Sequence, residues 1–162
     1  FNKIDNYLDD IISLKKMDIL LEIIHRCIQL KVSVVQKDER EEDFRRILNF
    51  GHSIGHALEK IYNYKLLLHG EAILYGIIGA SYISYTNGYL NNNDHNRIIA
   101  LIKRIKIPKL SSIDSNEIIE TMKNDKKNKD GKLNFVLIKK IGAPIINNCV
   151  SQKDICSALE IL

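Results

Sequence analysis

The sequence has no tryptophan, only two prolines, two methionines and three cysteines, and aromatic residues make up 7% of it. So little proline excludes a collagen-like or Pro-rich extended chain. Cys27, Cys149 and Cys156 are odd in number and have no C-x-x-C spacing. They cannot form the disulfide framework of a small secreted scaffold, and they read as buried or incidental thiols of a reducing, cytoplasmic compartment. Long apolar runs are also missing. The stretch from Ala72 to Ala80 is interrupted by glycines, and it is too short to span a bilayer. Charge of one sign is absent as well, since 24 Lys and Arg face 20 Asp and Glu, for a net +4. The basic residues are scattered among acidic ones, so the stripe expected of a nucleic-acid-binding surface is not there. A few well-placed cations still suffice for a phosphorylated small molecule.

What is present is enough apolar material for a packed core, 45% of 162 residues, with abundant Ile, Lys and Asn. The chain opens on Phe1 without a signal-peptide pattern, which reads as part of something longer. Apolar residues recur at helical spacing from Asp5 to Leu14 and from Met17 to Gln36. The apolar face of the second segment is wide, which predicts a helix deep in the core, with His25 packed or at its boundary. A charged break, 37–43, follows and reads as a solvated turn. A helix is then expected from Phe44 to Ile61, a loop to Leu68, and a helix from His69 to Asn87. Asp94, as a candidate cap, opens a helix to Ile105, and His95 beside it reads as solvated. A short helix covers Ser115 to Met122. Leu133–Ile138 alternates and, with Ala143–Asn147 beyond Gly142, predicts a β-hairpin. Ser151 is the natural cap of a last helix. The fold class is therefore mainly α: a single helical domain, 1–162, with one small hairpin.

Two glycines, Gly51 and Gly55, stand inside the third helical segment. Each costs about 1 kcal/mol relative to Ala, so their position four apart asks for a reason: close approach of another backbone or of a ligand. His52 and His56, one residue on from each, project from one helix face. That spacing lets one helix give two ligands to a metal such as zinc, and the absence of Glu between them removes the metalloprotease reading. His69, before Gly70-Glu71, can close on the same centre, and Glu59 follows at i+3 from His56. The three histidines point to a metal site; the alternative is an internal polar network. Arg45 and Asn49, at i−7 and i−3 from His52, are set to face the same way. Arg suits bidentate recognition of phosphate or carboxylate, although a surface ion pair with Glu41 or Glu42 is the plainer reading. Lys126-Lys127 lies in a loop before the hairpin.

Read in order, Glu39-Arg40-Glu41, Arg45, the run Leu48-Asn49-Phe50-Gly51-His52-Ser53-Ile54-Gly55-His56-Ala57-Leu58-Glu59, Leu68-His69-Gly70-Glu71-Ala72 and Asp125-Lys126-Lys127 resemble the motifs of 3-dehydroquinate synthase. The resemblance runs along essentially the whole chain, but covers only the C-terminal helical half of that family. It implies a lyase of the shikimate pathway of aromatic amino-acid biosynthesis. Such an enzyme uses NAD with zinc or cobalt to convert 3-deoxy-D-arabino-heptulosonate 7-phosphate to 3-dehydroquinate, releasing phosphate. Carried over by residue, His52 and His69 are implied as metal ligands, and His56 as a histidine that contacts substrate. Lys31 and Glu41 line the same pocket as catalytic groups. Arg45, Asn49 and Lys127 or Lys126 bind substrate, a phosphorylated sugar acid. This corrects the bare spacing, which pairs His52 with His56, and it turns Glu41 inward from the charged break.

The departures from the family pattern are definite. Its third metal ligand, a Glu, and its Gly-rich nucleotide-binding half have no counterpart in this chain, and Asp43 stands where the family commonly has Gly. The chain alone is thus expected to be inactive and to bind metal weakly. The full-length enzyme is expected to be a cytoplasmic homodimer with neither nucleic-acid nor membrane partners. Another sugar phosphate cyclase, such as 2-deoxy-scyllo-inosose or valiolone synthase, and a non-catalytic helical metal-binding domain are the competing readings. A dehydrogenase of the glycerol dehydrogenase type shares the architecture but has no use for the phosphate-binding Arg and Lys.

Overall fold

The computed structural model describes residues 1–111, 114–124, 133–147 and 149–162. The chain divides into two compact units, Phe1–Leu48 and Asn49–Leu162. In the first, α1 (Asn2–Ile12) lies against α2 (Met17–Lys37). Lys3 pairs with Glu22, and the Lys16 ammonium sits 4.7 Å from the centre of the Tyr7 ring. The expectation that α2 is a core helix is corrected. None of its residues is buried, Leu21 and Ile28 are 60% and 56% exposed, and His25 is exposed. A wide apolar face states what a helix is able to bury, whereas burial needs a covering element, and within this unit that is α1 alone. A 3₁₀ helix, Phe44–Asn49, follows.

The second unit contains α3 (His52–Ile61), α4 (His69–Thr86), α5 (Asn92–Lys103), α6 (Ser115–Lys123), the strands β1 (Phe135–Lys140) and β2 (Ala143–Asn147), and α7 (Gln152–Leu159). This mainly helical architecture with one antiparallel hairpin is the predicted class. Among the described residues no helix is long and apolar enough to cross a membrane. The expected helix from Phe44 to Ile61 is not continuous. Gly51 takes φ +82°, a left-handed conformation that favours glycine, and it separates the 3₁₀ helix from α3. The facing inferred for Arg45 and Asn49 from unbroken helical phase therefore loses its basis.

The central element is α4, which packs against α3, α5, α7 and β1. Small residues make this crowding possible. A Cβ on Gly76 would lie 1.8 Å from the Gly51 carbonyl oxygen; one on Gly51 would meet the Ile77 nitrogen at 2.8 Å, and one on Gly55 the Ala72 carbonyl at 3.1 Å. The glycines thus answer to a backbone, and the descending register (51 beside 76, 55 beside 72) makes α3 and α4 antiparallel. Ile54, Leu58, Ala72, Ile83, Ile118, Phe135, Leu137 and Ile155 fill the core around this crossing.

The hairpin is pinned to α4 by Ser84. Its buried hydroxyl donates to the Ala80 carbonyl at 2.6 Å and accepts from the Ile138 amide at 3.1 Å. Phe135 to Ile138 are all buried instead of alternating as the sequence reads, because both faces of that half of β1 are covered. Gly142 turns the hairpin at φ +88°, and Phe135 pairs with Asn147. Ser151 caps α7 as expected, with Asp154 returning the bond. Asn91, not Asp94, caps α5; the Asp94 carboxylate instead accepts from the Ile141 amide at the hairpin turn. His95 is not solvated. Its ring stacks on Tyr85 at 4.9 Å and 6°, and its buried Nδ1 has no hydrogen-bond partner among the described residues.

Two outcomes follow from this packing. Gly76→Ala should destabilise the protein by about 3 kcal/mol or more, or prevent folding, because backbone rather than a side-chain tip must move. Gly70→Ala, where an added Cβ meets nothing within 4 Å, should change stability by less than about 1 kcal/mol. Urea unfolding of both variants checks this. Burial also holds the His95 imidazole below its ordinary pKa of 6.5. The unfolded chain takes up that proton first, so stability present above pH 6.5 should decline as the pH falls below it. His95→Phe, which keeps the stack, should flatten that part of the thermal midpoint against pH; an unchanged slope would refute the burial argument.

Candidate metal centre

The crossing of α3 and α4 sets three histidines together. His52 and His56 stand one turn apart on α3, and His69 is the first residue of α4. The ring centres are 5.1 Å apart for His52–His56, 5.5 Å for His52–His69 and 5.8 Å for His56–His69. One ring nitrogen from each lies within 4.8 Å of the other two. His52 and His56 are half-buried and His69 is exposed, so the cluster opens to solvent on the α4 side. Zinc binds imidazole nitrogen at roughly 2.0–2.1 Å, so nitrogens within 4.8 Å of one another must draw somewhat closer to share one ion. Imidazole donors suit zinc or cobalt better than calcium or magnesium.

Two of the rings are held from behind. His52 Nδ1 lies 3.4 Å from the Phe50 carbonyl, and His69 Nδ1 lies 3.1 Å from a Glu59 carboxylate oxygen. A ring that donates from Nδ1 carries its lone pair on Nε2, the arrangement common to metal-binding histidines. The start of α4 is fixed by Glu71, whose carboxylate accepts the Leu68 amide at 2.7 Å and is placed favourably in the helix's first turn. Ser53, next to His52, donates from its hydroxyl to the Asn134 carbonyl at 3.1 Å, tying the beginning of α3 to the approach of β1. Glu59 is the site residue that sequence reasoning left without a role. Its only signal there is the i+3 spacing from His56, because its partner lies on another helix.

Lys31, Glu41 and Arg45 belong to the first unit. Lys31 is exposed on α2, while Glu41 and Arg45 are half-buried. The charged break is an organised turn built on Asp38. Its carboxylate accepts the amides of Glu42 at 3.0 Å, Asp43 at 3.0 Å and Arg45 at 2.9 Å. The amide bonds, that from Arg45 foremost, hold the Asp38 carboxyl below its ordinary pKa. Glu41 takes φ +57° within the turn. The Arg45 guanidinium donates to the Glu39 carbonyl at 2.7 Å. Asn49 begins the second unit and is half-buried. Lys126 and Lys127 lie outside the described residues.

Comparison with known proteins gives the family and the fold. Residues 1–128 match the family model described as 3-dehydroquinate synthase C-terminal. The 3-dehydroquinate synthase of Caldanaerobacter subterraneus subsp. tengcongensis is 38% identical over 161 residues, covering 99% of this chain and 45% of that protein. The 3-dehydroquinate synthase of Pelobacter propionicus is 39% identical over 137 residues, covering 84% and 38%. The chain thus spans less than half the length of these curated relatives. Among solved structures, 2-epi-5-epi-valiolone synthase from Streptomyces hygroscopicus subsp. jinggangensis, with NAD+ and Zn2+ bound, shares the fold with a TM-score of 0.88 at 23% identity, covering 99% of this chain and 45% of that one. A 2-deoxy-scyllo-inosose synthase complexed with carbaglucose-6-phosphate, NAD+ and Co2+ superposes with a TM-score of 0.72 at 27% identity, covering 85% and 39%. A family match over most of the chain, a helical fold shared with sugar phosphate cyclases and three convergent histidines lead to one assignment: the chain belongs to the 3-dehydroquinate synthase C-terminal family.

Proposed function

We propose that this chain is the metal- and substrate-binding part of a 3-dehydroquinate synthase. The whole protein would convert 3-deoxy-D-arabino-heptulosonate 7-phosphate to 3-dehydroquinate with release of phosphate. The observation that carries the reading is the cluster of His52, His56 and His69 in a chain of this family. His52 and His69 are the metal ligands in this reading, supported by the oriented Nδ1 atoms of both rings. When bound, zinc or cobalt supplies Lewis acidity and a template for the substrate oxygens, and NAD, held by a further domain, supplies the hydride acceptor. His56, beside the two ligands, contacts the substrate and exchanges a proton with one of its oxygens. Lys31 and Glu41 are the further catalytic groups. Arg45, Asn49 and one of Lys126 and Lys127 bind the substrate's carboxylate and phosphate, for which Arg and Lys are the suited side chains. The Asp38 turn contributes by fixing the Arg45 backbone.

A second reading, another sugar phosphate cyclase, draws support from the valiolone and inosose synthases that share the fold. The identity of the curated relatives, 38–39% to 3-dehydroquinate synthases, favours the first. The full-length protein containing this chain, supplied with NAD and zinc, should release phosphate from the heptulosonate phosphate. His52→Ala and His69→Ala should each lower that rate by on the order of 100-fold or more, beyond what loss of an outer partner usually costs. Wild-type rates in both variants would sink the ligand assignment. Turnover of a hexose 6-phosphate instead would move the protein to the inosose synthase branch.

A further inference from the structure

Glu59 is a carboxylate only 7% exposed, at the end of α3 facing away from solvent. Its carboxylate has one partner among the described residues, His69 Nδ1 at 3.1 Å. Burying a carboxylate is costly unless it is paired, and a pair whose partner is largely open to water, as the His69 side chain is at 58% accessible, adds little to stability. Stability therefore does not explain a Glu at this place. The backbone holds it firmly: the Tyr64 amide bonds the Glu59 carbonyl at 2.8 Å, closing the last turn of α3, and Asn63 and Tyr64 take left-handed φ to make that turn. The antiparallel crossing brings the end of α3 beside the start of α4, where the Glu59 carboxylate meets His69.

We infer that Glu59 is a positioning residue for the metal site: it accepts the Nδ1 proton of His69, selects the tautomer with the lone pair on Nε2, and fixes the ring toward the other two histidines. The inference rests on the reading of His69 as a ligand. A carboxylate behind a ligating imidazole orients the ring and strengthens it as a donor. His69 has special need of this, being the most exposed of the three, with 58% of its side chain accessible.

The test measures zinc affinity of the protein by chelator competition, with the His69 tautomer read from long-range nitrogen–proton spectra of the zinc-free form. Glu59→Leu should fold with unchanged or raised thermal stability without metal, yet bind zinc 10–100-fold more weakly and shift His69 toward the Nε2-protonated tautomer. Glu59→Gln, which keeps an acceptor and loses the charge, should bind zinc about 10-fold more weakly, and it decides the matter if the Leu variant does not fold. A purely structural role would instead lower metal-free stability and leave zinc affinity intact. His69→Ala separates the two ways of failing. If it loses zinc while the Glu59 variants bind as wild type, the positioning role is wrong and the ligand stands. If His69→Ala binds zinc as wild type, the ligand reading falls, and the inference with it.

Discussion

The structure depends on a contact that only missing side chains allow. The Gly51 carbonyl lies where a Cβ of Gly76 would be, 1.8 Å away. Two backbones packed too closely to admit that Cβ leave little freedom, so the contact fixes both the separation and the register of α3 and α4. Gly55 falls beside Ala72, and the antiparallel run brings the end of α3, with Glu59, to the start of α4, with His69. His52 and His56 are carried to the one end of α4 that bears a histidine. A shift of one residue along either helix would turn these groups to other faces, since successive residues on a helix point about 100° apart. The histidine cluster is a consequence of the glycine packing beside it, Gly51 and Gly55 directly preceding His52 and His56.

The cluster shows how local and distant parts of the chain divide the work of orienting donors. His52 takes its backing from the carbonyl of Phe50, two residues before it, so that part is built into the start of the helix. His69 takes its backing from Glu59, on another helix. The surrounding elements are tied to the same frame through single hydroxyls: buried Ser84 joins α4 to β1, and half-buried Ser53 joins α3 to the approach of the hairpin. In the other unit, Asp38 organises the residues that precede the 3₁₀ helix by collecting amides. That turn is charged yet ordered, because a carboxylate that accepts three N–H groups is worth more as a bracket than as a solvated charge.

Much of the architecture was legible in the sequence because it rests on local rules. Helical periodicity marked the first two helices, caps and stops marked later ones, Gly142 marked the hairpin turn, and Ser151 marked the last cap. The unusual glycines were correctly read as a demand for close approach, although nothing local says whether a ligand or a backbone meets it. The errors share one cause. The apolar face of α2 is exposed, His95 is stacked against Tyr85, and Phe135–Ile138 is covered on both faces. In each case the outcome turns on what another segment places opposite, and residue pattern does not contain that. The break at Gly51 was missed because a left-handed glycine looks in sequence like a tolerated helical one.

The sequence alone determined the class of fold, the three histidines as the chemistry-bearing residues and the family to which their spacing belongs, since spacing and motif order are properties of one dimension. Only the tertiary structure decided that His69 joins His52 and His56 and that Glu59 stands behind His69. Those are relations between two helices, and they exist because the glycines let the helix backbones touch.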